Sequence, residues 1–118
     1  MAGFGIAAEW LSPARRVITV EGEVDLFAAP ELKELLAGAI ADGVREIVVD
    51  LMQATFVDSS SLGVLIAAHS ELQAGGGMLS VACDVPAVVK ALSTTGLDGL
   101  FAVLGTREAA LAALPDAA

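Results

Sequence analysis

With 118 residues, six basic and fifteen acidic side chains, and a formal net charge of −9, the chain has the length of one domain and a surface that repels phosphate backbones and anionic lipid headgroups. Its hydrophobic fraction of 56% is rich in alanine, its aromatic fraction is 4%, and no apolar run reaches the roughly 18 residues of a membrane span. Met1 to Gly5 also lacks the basic flank and apolar stretch of a signal peptide, so the expectation is a cytoplasmic protein that binds neither nucleic acid nor membrane. The acidic surplus suits a basic protein partner, or simply keeps an apolar domain soluble.

Phe4 to Trp10 alternates weakly and predicts a first strand, turned by Ser12-Pro13 and Arg15-Arg16 into a second strand over Val17 to Glu21. After Asp25-Leu26-Phe27, Pro30 suits a first helical turn, and Leu32, Leu35, Leu36, Ala39 and Ile40 form one apolar face that ends by Gly43. Arg45 to Leu51 has the β-branched density of a buried strand. A helix follows from about Ser60 to Ala74, with Leu62, Leu65, Ile66 and Leu72 on its stripe, closed by Gly75-Gly76-Gly77. Met78 to Cys83 is the next strand, with Cys83 packed as a small hydrophobe at its end. Asp84 is a candidate cap for a helix bearing Val85, Val88, Val89 and Leu92, which Gly96 ends. A short strand over Leu100 to Leu104 and a last helix, capped by Thr106 and running to Leu114, complete the chain, with Leu114 to Ala118 expected as a frayed tail. Strands joined through helices require crossovers, so the sheet is expected to be mostly parallel after an antiparallel opening.

The chemistry concentrates in Phe56-Val57-Asp58-Ser59-Ser60-Ser61-Leu62-Gly63, between a strand and a helix. Asp58 can cap the free N–H groups there, and the positive end of the helix dipole favours an anion on Ser59 or Ser60. From the residues alone, a serine cluster ahead of a helix most often serves as capping. Glu23 and Asp25 leave a strand, where carboxylates are either solvated or partner-facing, and Phe27 is as well suited to a core as to a contact surface. His69 falls on the apolar stripe and reads as a packed boundary residue. It lies ten residues beyond Ser59, about 15 Å along a helix, too far to activate that serine. Gly-x-Ser-x-Gly is absent, and Gly75-Gly76-Gly77 lacks the following Lys-Ser/Thr of a P-loop, so no catalytic site or cofactor is expected. Cys83 is alone, which leaves neither a disulfide nor a cysteine-based zinc site.

Asp58-Ser59-Ser60-Ser61-Leu62-Gly63-Val64 closely resembles the Asp-Ser-Ser/Thr-Gly-Leu-Gly segment of the bacterial anti-sigma factor antagonists, which are STAS domains. Gly22-Glu23-Val24-Asp25 is similar to that family's Gly-Glu-Leu/Val-Asp element. Val85 to Leu92 and Gly96 to Phe101 resemble its late helix and final strand. The resemblance spans about residues 4 to 114 of a single domain assigned to residues 1–118. It implies a STAS-like α/β fold with a mixed, mostly parallel sheet of four or five strands and about four helices.

It further implies regulation by partner switching, in which the chain binds an anti-sigma factor serine kinase until phosphorylated on Ser59, with Ser60 and Ser61 as alternates, and a serine/threonine phosphatase reverses this. Glu23, Asp25, Phe27, Asp58, Ser59, Ser60, Ser61, Leu62 and Gly63 would form the docking face of a monomer or weak dimer. Ser61 departs from the resembled motif, which has Gly there. Two alternatives carry the same fold, namely a scaffold subunit of a sensory assembly of the stressosome type and a soluble accessory subunit of a lipid transporter.

Overall fold

The computed structural model describes residues 3–115. Its order is β1 (Phe4–Ser12), β2 (Arg15–Val24), α1 (Ala29–Ala41), β3 (Glu46–Val57), α2 (Ser59–Ala74), β4 (Met78–Ala82), α3 (Pro86–Thr94), β5 (Ala102–Leu104) and α4 (Arg107–Ala112), with a 3₁₀ turn at Leu97–Gly99. The five strands lie in the order of the sequence. β1 runs antiparallel to β2, and the other three pairings are parallel, as the alternation of strands and helices predicted.

Period-two alternation sends Ile18, Val20, Ile47, Val49 and Leu51 to one face of the sheet, where α1, α2 and α3 cover them with Leu32, Leu36, Leu62, Leu65, Leu72, Val88 and Leu92. Three successive crossovers that each step to the next strand in the same direction place their helices on a common face. The opposite face holds a smaller core of Val17, Val48, Ala82, Ala110 and Leu114 under α4. Leu114 is therefore packed rather than frayed, although α4 itself ends at Ala112, and positions 116–118 of the expected tail lie outside the described residues.

Several boundaries and faces differ from expectation. β3 continues to Val57, because its second half pairs with β2 from Glu21 to Val24 across two shifts in register. β4 is only five residues long and pairs with β3 up to Asp50, so the far end of β2 and β3 reaches beyond it. Asp84 caps nothing. Val85 holds the N-cap position in extended conformation, since it precedes Pro86 and proline disfavours helical geometry in the residue before it. Ile66 and Val89 are exposed, and the buried stripe of α2 runs instead through Leu62, Leu65, Ala68, His69 and Leu72. At the end of α2, Gly76 takes φ 81° and Gly77 passes so close to the residue before β3 that a Cβ would collide with the Arg45 carbonyl oxygen.

His69 is 3% exposed, meets Phe101 edge-on at 5.5 Å, and has no hydrogen-bond partner for either ring nitrogen among the described residues. An unpaired buried polar group opposes folding, so His69→Leu is expected to raise stability by about 1 kcal/mol in urea denaturation. Loss of stability instead would show that the ring contact with Phe101 outweighs the polar cost.

Candidate functional site

Parallel pairing brings the carboxyl ends of β2 and β3 to the same edge of the sheet, and the two loops leaving them form one surface. The first loop is held by Asp25, whose Oδ1 accepts the Phe27 and Ala28 amides at 3.0 and 3.2 Å while its carbonyl accepts those of Ala28 and Ala29. This fold of the chain delivers α1, with Pro30 in its first turn. It also turns Leu26 and Phe27 outward, 64% and 78% exposed. Phe27 thus resolves to the surface.

The second loop is organised by Asp58 at the N-cap of α2. Its Oδ1 accepts the Ser61 amide at 3.0 Å and the Ser60 hydroxyl at 2.6 Å. Burial tends to push the Asp58 carboxyl up, but the hydrogen bonds from the Ser60 hydroxyl and the Ser61 amide outweigh it and hold the group below its usual 3.8. A folded-state value below the unfolded one gives stabilisation that is complete above the unfolded pKa and fades as pH falls through the folded one. Asp58→Ala is therefore expected to cost about 1 kcal/mol at neutral pH, and the difference from wild type should close under strong acid, as read by urea titration at each pH.

The three serines occupy unlike environments. Ser59 is exposed and its hydroxyl has no partner among the described residues. Ser60 is half-buried and committed to Asp58. Ser61 is fully buried, its hydroxyl 2.7 Å from the Val24 carbonyl. Leu62 is buried in the main core, so Ser61 and Leu62 sit behind the candidate face rather than on it, whereas Gly63 is exposed. Glu23 is half-buried at the end of β2, opposite Phe56 in the ladder.

Leu26 extends the apolar part of the surface beside Phe27, and Phe56, 48% exposed, lies near the end of β3. Both escaped the sequence reading, because Phe56 continues the apolar density of its strand and Leu26 adjoins another hydrophobe. The outward position of Phe56 depends on the length of β3. A groove of about 270 Å³ runs between α1 and α2 from Lys33 and Ser60 past Leu36, Gly63 and Val64 to Glu71. No group of metal-ligating side chains occurs among the described residues, nor is any helix there long and apolar enough to cross a membrane.

The family model for the STAS domain matches residues 11–110. The anti-sigma-B factor antagonist of Staphylococcus aureus is 30% identical over 86 residues, which are 73% of this chain and 80% of that protein. In structure, an anti-sigma factor antagonist from Mycobacterium paratuberculosis superposes with a TM-score of 0.86 at 29% identity, covering 95% of this chain and 94% of the other. The anti-sigma factor antagonist SpoIIAA is 26% identical in two forms. Its unphosphorylated form gives a TM-score of 0.80 over 91% of this chain and 93% of that one. The phosphorylated form, from Bacillus, gives 0.73 over 92% and 97%.

Proposed function

We propose that this chain, which belongs to the STAS domain family, is an anti-sigma factor antagonist that binds an anti-sigma factor serine kinase when unphosphorylated and releases it once Ser59 carries a phosphoryl group. The observation that carries the reading is the position of Ser59, exposed and without a hydrogen-bond partner among the described residues at the start of α2, in a loop hydrogen-bonded to the end of β2 just ahead of the exposed Leu26 and Phe27. A hydroxyl in that state can be reached by a kinase without local unfolding. The apolar side chains beside it supply contact area, and Glu23, with the Asp25 oxygen that makes no loop contact, is suited to a basic partner group. ATP and Mg²⁺ belong to the kinase, the chain being its protein substrate, and a serine/threonine phosphatase resets the cycle.

The test is to incubate the protein with ATP and each candidate anti-sigma kinase of its genome and to locate phosphate by mass spectrometry. Modification at Ser59 by one kinase is the expected result. No phosphate on residues 59–61 with any of them, together with unchanged kinase binding by Ser59→Asp, would overturn the proposal.

A further inference from the structure

The Val24 carbonyl ends the β2–β3 ladder and accepts two hydrogen bonds from across the site, from the Asp58 amide at 3.2 Å and from the Ser61 hydroxyl at 2.7 Å. Ser61 has a single hydroxyl hydrogen, and three oxygens lie within reach of it. The Asp25 carbonyl is at 3.5 Å and Asp58 Oδ1 at 3.2 Å, and Asp58 Oδ1 already accepts the Ser60 hydroxyl and the Ser61 amide at shorter distances. The Val24 carbonyl is the nearest and takes the hydrogen. Both Val24 and Ser61 are buried, at 1% and 0% exposure, so water does not compete for this bond. One side chain of the serine loop is thereby fastened to the last peptide before the Asp25–Ala28 loop.

We propose that Ser61 is a positioning residue that joins the serine loop and the Leu26–Phe27 loop into one rigid unit, so that a charge placed on Ser59 is transmitted to the loop bearing the exposed hydrophobes. The regulatory meaning rests on the function proposed above, whereas the mechanical coupling does not require it. A glycine at this position could hold the helix start through its amide but could not make the bond to Val24. Ser61 therefore adds a constraint between the loops that the resembled motif lacks.

Hydrogen exchange of backbone amides, read by NMR on the whole chain, tests the coupling without any partner. In Ser61→Ala the Phe27 and Ala28 amides are expected to exchange about tenfold faster, the effect of losing one hydrogen bond of ordinary strength, while the amides of Val17–Val20 and Ile47–Leu51 change little. In the wild-type background, Ser59→Asp should shift the Leu26 and Phe27 amide resonances, and in the Ser61→Ala background that shift should shrink severalfold. Should the alanine variant fail to fold, Ser61→Cys keeps the volume with a weaker donor and is judged by the same comparison. Unchanged loop exchange, a uniform rise across the sheet, or a Ser59→Asp shift that survives Ser61→Ala intact would each overturn the proposal. None of these readings depends on whether an anti-sigma kinase binds the chain, so the coupling and the proposed function fail separately.

Discussion

Ser59→Glu is expected to weaken binding of the cognate anti-sigma kinase by at least about a hundredfold while leaving the fold as stable as wild type or slightly more so. The two halves of this result have different causes. In the free protein Ser59 begins α2, where the helix dipole and unpaired amides favour an anion, a contribution of about 0.3–1 kcal/mol toward stability. In the complex the same group would be enclosed beside Leu26 and Phe27, whose exposed surface has to be desolvated for a partner to dock. A carboxylate buried there without a counter-charge is costly, and a phosphoryl group, with about −1.5 to −2 charges, is costlier still.

Ser59→Ala should bind within about threefold of wild type, since the Ser59 hydroxyl makes no hydrogen bond among the described residues that could be lost. Isothermal titration calorimetry with the kinase, run beside urea denaturation of each variant, reads both quantities. A Ser59→Glu variant that binds normally, or that loses binding only because it unfolds, would contradict the surface mechanism.

What makes that mechanism available was partly legible in the chain. Asp58 as a helix cap follows from local rules alone, because cap and helix are neighbours in sequence and the capping geometry is set within three residues. The same locality explains why β1, β2, β4, α1 and α2 could be placed to within a few residues, whereas the far end of β3 is set by its pairing with β2. Ser61 could not be read this way. Its partner is the carbonyl of Val24, thirty-seven residues earlier, and only the parallel pairing of β2 with β3 brings the two together.

The outward turn of Leu26 escaped for a related reason, and the residues alone left Phe27 open between core and surface. Asp25 folds its own loop by accepting the amides of Phe27 and Ala28, and this local hydrogen bonding overrides the tendency of two adjacent hydrophobes to be buried. Asp84 misled in the opposite direction. It has the chemistry of a cap, but the proline two residues later begins the helix and passes the N-cap position to Val85.

The face of the sheet away from α1, α2 and α3 supplies the second large effect, at Arg107, expected to destabilise the protein by about 2–3 kcal/mol on replacement by alanine. Arg107 opens α4 and spreads its guanidinium over three strands. Nε donates to Asp50 Oδ2 at 2.8 Å, one terminal nitrogen to Glu9 Oε2 at 2.8 Å, and the other to the Thr19 hydroxyl at 2.9 Å. Of its partners, Asp50 decides the magnitude. It is 6% exposed, and its other oxygen is occupied by the Met52 amide, so removal of Arg107 leaves a buried carboxylate oxygen without a partner. The pair with Glu9 is largely solvent-exposed and screened by salt, and it adds a few tenths of a kcal/mol at most.

Arg107→Lys should recover only part of the loss, because one ammonium cannot serve three acceptors placed to suit a planar fork. In a double-mutant cycle, Asp50→Leu combined with Arg107→Ala should be more stable than Arg107→Ala alone, since the unpaired charge is then gone. Thermal unfolding of the four proteins measures this, with a fall of roughly 10 °C expected for Arg107→Ala. Binding at the serine-loop surface supplies the control. If Arg107→Ala remains folded at the assay temperature, its affinity for the kinase should match wild type, because Arg107 reaches none of the residues that hold the serine loop in place.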